Sequence, residues 1–203
     1  MEYKIKKTNL KEIEINSPEW DNAEVASIAH KEWADFPESP NTTVRVLTNG
    51  DGLFVKFESD EKYVLAECDQ VNGDVFKESC VEFFVKPDPE NNDNYFNFEL
   101  NAKGTPHIGF GTGRSPARYR IPDLKPEIFK IESVMKEQGF ILKLYIPYSF
   151  FLERVDNIGE YFMGNFQKCK EKEPEPHFAT YYPIKTPNPD FHRPEFFGKL
   201  IIE

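Results

Sequence analysis

Carboxylate and amide side chains recur at alternate positions in two short segments, CVEFFVK at 80–86 and YFNFELN at 95–101. Side chains of a strand point alternately to its two faces, so Asn97, Glu99 and Asn101 share one face of the second segment. Glu82 lies on the corresponding polar face of the first. Such a surface offers several hydrogen-bond acceptors and donors close together, as a polar ligand requires.

The eight-residue loop 87–94 is short enough to join these two segments as neighbouring strands. Neighbouring strands lie about 4.8 Å apart. Glu82 and Glu99 would then meet the spacing of about 5 Å that a retaining glycoside hydrolase needs between its acid and its nucleophile. The simpler interpretation is the solvated face of an antiparallel sheet.

The surrounding chain is predicted to be all β. Runs rich in β-branched and aromatic residues alternate with turn residues, and helical intervals are few, a pattern typical of an antiparallel sandwich. The sequence NGDG at 49–52 predicts a hairpin between strands 44–48 and 53–57. Further strands are predicted at 63–67, 80–86, 95–101, 128–135, 140–146, 161–168 and 196–202, and a loop at 109–114.

Two short helices are predicted beside the strands. Apolar residues recur at helical spacing over 25–33, after a candidate cap at Asp21 or Asn22, and a second helix is expected over 148–154. The predicted fold is therefore all-β, an antiparallel, jelly-roll-like β-sandwich with one or two short helices. A single domain is predicted over 1–203, with 1–40 as an N-terminal elaboration.

Composition restricts the partners. The chain of 203 residues has 35 acidic and 25 basic residues and a net charge of −10, which argues against binding to nucleic acid or anionic membranes. The N-terminus has lysines but no apolar stretch typical of a secretion signal. As written, the sequence predicts a cytoplasmic protein, or a periplasmic or secreted one if a leader has been removed.

The cysteines and the acidic loop suggest no firm metal site. Cys68, Cys80 and Cys169 lack the spacing of a structural zinc site and are predicted to be reduced thiols. The loop that carries Asp88 and Asp93 offers oxygen ligands for structural calcium, but a solvated acidic loop is the favoured interpretation.

Six segments keep a characteristic order along the chain. They are DGLFVKF at 51–57, SCVEFFV at 79–85, YFNFELNAKGT at 95–105, GNFQKC at 164–169, PHFATYYPI at 176–184 and PDFHRPEFFG at 189–198. Together they resemble the family 9 carbohydrate-binding modules, in particular the family 9-like proteins of polysaccharide-degrading bacteria.

This resemblance implies a β-sandwich that binds sugars without cleaving them. Members of the family hold one or two terminal sugar units between two aromatic side chains, and charged and amide groups bind the hydroxyls. Phe76 and Tyr181 occupy the two aromatic positions, and Glu82 the glutamate on the strand. Glu99 stands where some members have arginine, which exchanges a hydrogen-bond donor for an acceptor. Structural calcium is common among relatives.

The predicted ligand-binding residues are Phe76, Glu82, Glu99, Asn101, Asn165, Lys168 and Tyr181; strand register alone suggests Asn165 and Lys168. The expected ligand is the terminus of a plant-type β-glycan of the xylan or cellulose class, or a short oligosaccharide. Binding would support polysaccharide breakdown, with a glycoside hydrolase as a partner. Two alternatives remain: a glycoside hydrolase that uses Glu82 and Glu99, and a protein-interaction β-sandwich that binds no sugar.

Overall fold

The computed structural model describes residues 2–203, and most of its regular structure consists of strands. The strands are β1 (Glu2–Lys7), β2 (Val25–Ser27), β3 (Thr42–Thr48), β4 (Gly52–Ser59), β5 (Cys80–Lys86), β6 (Tyr95–Asn101), β7 (Pro106–Gly111), β8 (Arg118–Arg120), β9 (Glu132–Met135), β10 (Phe140–Pro147), β11 (Tyr161–Lys170), β12 (His177–Thr180) and β13 (Gly198–Ile202). Within residues 2–203, helix is limited to α1 (Tyr148–Leu152) and four 3-10 turns, at Pro18–Asn22, Val75–Lys77, Pro126–Phe129 and Pro194–Phe196. The predicted all-β fold with little helix is confirmed.

The strands form two layers that share β1. The first layer has the order β8-β7-β6-β5-β11-β13, and the second has the order β3-β4-β10-β9. The first four residues of β1 pair in parallel with β13, and its last two residues, Lys6 and Lys7, pair in parallel with β3. One curled sheet therefore supplies both faces of the sandwich. β12 pairs with β11, and β2 with β3.

The main core lies between the two layers. Phe83 and Phe166 come from neighbouring strands of the first layer and stack with ring centroids 4.9 Å apart. Phe57, on the second layer, packs edge-on against Phe166. These side chains alternate with polar ones along β5, β6 and β11, as the two-residue period predicts.

The opposite face of the first layer is covered as well. A second apolar cluster combines Phe84 and Tyr95 of this face with Trp33, Phe191 and Phe197 of covering loops. Every residue of β6 is buried as a result. The interpretation of this face as a solvated surface is therefore wrong, because loops that follow β2 and β12 cover it.

The predicted helix over 25–33 is also wrong. The chain instead makes a 3-10 turn at Pro18–Asn22 and then the short strand β2, antiparallel to β3. Ala26 and Ile28 are buried while Val25 is exposed, so the apolar residues follow a two-residue period here. Pairing with β3 overrides the weak helical spacing, which is a common effect of tertiary structure. The second predicted helix is confirmed as α1.

Two further local predictions differ from the structure. Residues 63–67 form no strand, because the backbone N–H groups of Leu65 and Glu67 donate to the side chains of Ser79 and Glu78 and not to a neighbouring strand. Residues 109–111, predicted as a loop, end strand β7. The hairpin around 49–52 is confirmed by the pairing of β3 with β4. No helix among residues 2–203 has the length and apolar character needed to cross a membrane.

Candidate functional site

A cavity of about 280 Å³ lies on the covered face of the first layer. This volume is close to the lower end of the roughly 300–1,000 Å³ of typical ligand pockets. β5, β6 and β11 contribute Glu82, Glu99 and Cys169 to it. The loop between β12 and β13 contributes a further part of the lining, and the connection from β7 to β8 another.

The cavity has a strongly polar part. Glu82 of β5 lies directly opposite Glu99 of β6 in the antiparallel register, as the sequence predicts for neighbouring strands. Both side chains line the cavity although each residue is about 97% buried or more. The other polar lining residues are Arg114, Arg118, Glu171, Asp190 and His192.

A chain of hydrogen bonds links Arg118 of β8 to Glu99 of β6. Arg118 Nη1 donates to Asn97 Oδ1 over 3.1 Å, and Asn97 Nδ2 donates to Glu99 Oε1 over 2.8 Å. Gly109 of β7 leaves room for this contact, because a Cβ atom there would lie 2.6 Å from both Arg118 Nη1 and Asn97 Oδ1. The Nε of Arg118 is buried and has no hydrogen-bond partner among residues 2–203.

Burial strongly perturbs the groups of this site. The pKa of Glu82 is raised well above its usual value, first by desolvation and then by the neighbouring Cys169 and Glu99. Burial lowers the pKa of His192 to about 2, and the positive charges of Arg118 and Arg114 act in the same direction. His192 is therefore neutral at pH 7, and its Nδ1 is 2.7 Å from the hydroxyl oxygen of Tyr95.

The apolar part of the cavity is aromatic. Phe36, Phe178 and Phe191 form a continuous group, with Phe36 edge-on to Phe178 at 4.8 Å between ring centroids and Phe178 edge-on to Phe191 at 6.1 Å. Phe76, from the turn that precedes β5, also lines the cavity and packs edge-on against His107. The cavity thus combines aromatic rings with carboxylates and guanidinium groups.

Three of the seven predicted site residues come together in this cavity: Phe76, Glu82 and Glu99. Asn101 is close in sequence but has another role. Its amide donates to the backbone oxygen of Cys68 and to Glu78, and its side-chain oxygen accepts from the backbone N–H of Thr105. It therefore fixes the loops at one end of β6.

Asn165 and Lys168 of β11 do not line the cavity. Asn165 donates to the backbone oxygen of Tyr182 and accepts from its N–H, so it joins β11 to the chain after β12. Lys168 is fully buried, and its Nζ is 2.9 Å from Glu61 Oε2; Lys170 Nζ approaches Glu61 Oε1 to 3.1 Å. The register of β11 thus directs both predicted residues into structural contacts.

Tyr181 is likewise placed away from the cavity. Its ring is in the main core, 6.0 Å from that of Tyr3 and 5.9 Å from that of Phe166. The second aromatic position implied by the family resemblance therefore contributes to packing between the layers. Phe178, three residues earlier on β12, is the aromatic side chain of this segment that reaches the cavity.

Contacts within the acidic loop before β6 involve one of its carboxylates. Asp88 is buried and accepts from the side-chain amide of Asn91 within the loop. Among residues 2–203, the three groups close enough to share one metal ion are Cys80, Glu82 and Cys169, whose candidate ligand atoms all lie within 4.8 Å of one another. The three cysteines are free thiols, as predicted.

Sequence reasoning missed Arg114, Arg118 and the aromatic group around Phe178. Arg118 belongs to a three-residue strand that gives no periodic signal, and GFGTGR at 109–114 has the composition of a loop. Phe178 lies in a segment, PHFATYYPI, that the resemblance had singled out. Phe178 and Ala179 are neighbours on a strand, so only one of them can face the main core. This alternation was the signal that could have placed Phe178 on the cavity side.

Comparisons with known proteins show the family to which this fold belongs. The family model described as carbohydrate-binding family 9 matches residues 16–202. A proposed carbohydrate-binding protein from Bacteroides uniformis ATCC 8492 is 28% identical, with a TM-score of 0.89 over 100% of this chain and 99% of that one. No protein in the curated comparison set matches.

Two more distant structures have the same fold. Both are of a carbohydrate binding module family 9 from Caldicellulosiruptor kristjanssonii, one in complex with cellotriose and one with glucose. Each is 10% identical to this chain with a TM-score of 0.67 over 100% of it; the cellotriose complex is covered to 94% and the glucose complex to 96%. At this identity the likeness concerns the fold alone.

The position of Arg118 in the cavity lining leads to a first prediction. Arg118→Gln should weaken binding of the cavity's ligand about 10- to 100-fold, because a hydrogen bond from a charged group contributes roughly 1.5–3 kcal/mol. Calorimetric titration measures the change. Arg120→Gln is the matched control, since Arg120 of the same strand bonds Asn72 and Asp74 and lies outside the cavity lining. Equal affinities for the wild type and Arg118→Gln would contradict the assignment.

The buried group around Lys168 leads to a second prediction. Burial lowers the pKa of His177 to about 3, and the positive charges of Lys168 and Lys170 act in the same direction. The negative charge of Glu61 opposes this shift but does not cancel it. Protonation then favours the unfolded chain, so stability falls as the pH drops below about 6.5. From pH 7 to pH 5 we expect the free energy of unfolding to decrease by about 2 kcal/mol through His177 alone.

Urea denaturation at both pH values measures this loss, and His177→Asn should reduce the difference between them by the same amount. An unchanged pH dependence in the variant would show that His177 titrates normally in the folded protein.

Proposed function

Because the chain belongs to carbohydrate-binding family 9, we propose that its cavity binds the end of a β-glycan of the cellulose or xylan class, or a short oligosaccharide, without cleaving it. The observation that carries this proposal is one small cavity that combines a group of phenylalanine rings with the opposed pair Glu82 and Glu99 and with Arg118. A purely apolar patch, as an interaction module would present, lacks these buried charges.

The chemistry of a sugar ring matches this lining. The faces of the ring present C–H groups, which suit the negative face of an aromatic side chain such as Phe76 or Phe178. The hydroxyls at the edge suit charged partners, since hydrogen bonds to ionised groups are stronger than neutral ones. Glu99 accepts and Arg118 donates, so one hydroxyl can satisfy both of its hydrogen-bonding roles between them.

The size of the cavity favours a chain end over the side of a polymer. Its volume of about 280 Å³ holds a small ligand, and loops cover this face of the layer where a long chain would have to continue. Binding is expected to be weak to moderate, because a small polar site gains little from apolar area.

Two features support binding without hydrolysis. Glu82 Oε1 is 3.1 Å from the Sγ atom of Cys169, and Glu99 is held by Asn97, so both carboxylates have partners within the protein. The family described by the matching model binds carbohydrate.

We further propose that the module acts beside a glycoside hydrolase, either by tethering it or by holding released oligosaccharides, in support of polysaccharide breakdown.

The proposal is tested first by calorimetric titration with cello-, xylo- and manno-oligosaccharides, each in native and end-reduced form. We expect saturable binding to cello- or xylo-oligosaccharides that is lost on reduction of the end, because the ring that fills the cavity is then opened. No heat with any of these sugars would favour the protein-interaction module. Turnover of an aryl glycoside, with a bell-shaped pH profile, would favour a hydrolase.

The aromatic lining is tested by Phe76→Ala, which should weaken binding of the best oligosaccharide about 10-fold through loss of the apolar contact, equivalent to roughly 1.4 kcal/mol. Calorimetry gives the affinity and thermal unfolding the stability. Tyr119→Ala is the matched control, because Tyr119 is an exposed ring of β8 outside the cavity lining.

Tyr181→Ala provides the contrast. Its ring is packed in the core, so it should lower the free energy of unfolding by about 3–5 kcal/mol. A Tyr181→Ala protein with normal stability and lost sugar affinity would instead restore Tyr181 to the site.

A further inference from the structure

The floor of the cavity holds a cluster that sugar binding does not require. Cys80 of β5 lies directly opposite Cys169 of β11 in the antiparallel register, and Glu82 follows Cys80 on the same face two residues later. Candidate ligand atoms of these three side chains all lie within 4.8 Å of one another. We propose that Cys80, Cys169 and Glu82 form a binding site for a thiophilic divalent metal ion, with zinc as the preferred ion.

The donor set fits zinc. Zinc is bound by thiolate and carboxylate ligands at about 2.3 and 2.0–2.2 Å, in tetrahedral geometry, which places two sulfur ligands roughly 3.8 Å apart and a sulfur and an oxygen roughly 3.5 Å apart. Cys169 Sγ and Glu82 Oε1 are already 3.1 Å apart. Side-chain movements of a few tenths of an ångström would complete this part of the site.

The spacing that is typical of directly opposed strand residues suits a bridging metal ion. Residues directly opposite each other in an antiparallel pair have Cβ atoms about 4.5–5.5 Å apart, whereas a disulfide requires about 3.5–4.5 Å. Both sulfurs are free thiols in the structure. A bridging ion spans the longer distance without moving the strands, which the ladder between β5 and β11 holds over seven residue pairs.

The surroundings of the cluster are those of a metal site. Cys80, Glu82 and Cys169 are each 98% buried or more, so water competes little for the ligands. Glu82 and Cys169 also line the cavity, which gives the ion a path of entry and leaves one coordination position on the cavity side. Three protein ligands with one open position are typical of zinc sites that hold an exchangeable ligand.

The lining of the cavity carries positive as well as negative charge. Two thiolates and one carboxylate around a divalent ion leave one net negative charge, and both Arg114 and Arg118 line the same cavity. On binding, the two thiols and any protonated Glu82 carboxyl release their protons to solvent, as coordination by thiolate and carboxylate requires. No electron transfer is involved, so no oxidant or reductant is needed.

The test uses the whole chain, stripped of metal by a chelator and kept reduced with a phosphine. Co²⁺ is added as a spectroscopic substitute for Zn²⁺, followed by Zn²⁺ in competition. We expect one equivalent of Co²⁺ to produce a near-ultraviolet thiolate-to-cobalt band and the visible bands of tetrahedral cobalt, both of which Zn²⁺ removes. Native mass spectrometry should show one zinc ion per chain.

Variants locate the ion. Cys80→Ser and Cys169→Ser should abolish the thiolate-to-cobalt band or reduce its intensity by half, with at least a roughly 100-fold loss of zinc affinity, and Glu82→Gln should weaken zinc binding about 10-fold or more. Cys68→Ser is the matched control, because Cys68 is half-buried and outside the cluster, and should bind like the wild type. Glu82→Gln retains both thiols and serves where a cysteine variant does not fold.

Three results would overturn the proposal: no cobalt band in the reduced wild type, octahedral spectra without a thiolate band, or binding that Cys68→Ser abolishes. The metal site does not depend on the proposed function, because its readouts need no sugar. A metal-binding protein that ignores every oligosaccharide, and a sugar-binding protein without metal, are distinguishable outcomes.

Discussion

The organisation of the site depends on one constraint: the first layer of the sandwich is buried on both faces. A strand with one buried face alternates apolar and polar side chains, and its polar face meets water. In β5 and β6 this alternation is present, yet the polar face is covered by loops with their own aromatic cluster. Polar side chains that are excluded from water must find partners, which explains the dense hydrogen bonding around Asn97, Glu99 and Glu82.

Among the buried polar residues, those with purely structural contacts can be told apart from those that line the cavity. Asn101 and Asn165 have all their contacts in backbone groups or neighbouring side chains, and Lys168 has a buried counter-ion. Arg118 differs, because it lines the cavity, where its Nη1 donates to Asn97. Arg118 is therefore better placed for ligand recognition than Lys168.

The sequence predicted the parts of this fold that depend on short-range pattern. The bounds of β5 and β6, the hairpin at 49–52 and the opposition of Glu82 and Glu99 follow from two-residue alternation and loop length. The path of the covering loops cannot be derived from such patterns, because their contacts join residues that are far apart in the sequence. Phe178 and Tyr181 are three residues apart, and only the position of β12 beside β11 decides which of them reaches the cavity.

The cluster of Cys80, Cys169 and Glu82 could not be predicted from the sequence either. Metal sites are recognised in sequence by close spacing of their ligands, and Cys80 and Cys169 are 89 residues apart in the chain. The sheet supplies the proximity instead, since β11 inserts beside β5 and brings the two thiols into direct register.

Glu82 belongs both to this cluster and to the polar pair with Glu99. An ion held there would fix the orientation of Glu82 and place a positive charge at the floor of the cavity. Ligand hydroxyls would then meet a Lewis acid on one side and the carboxylate of Glu99 on the other, so occupancy by metal would change which sugar the cavity prefers.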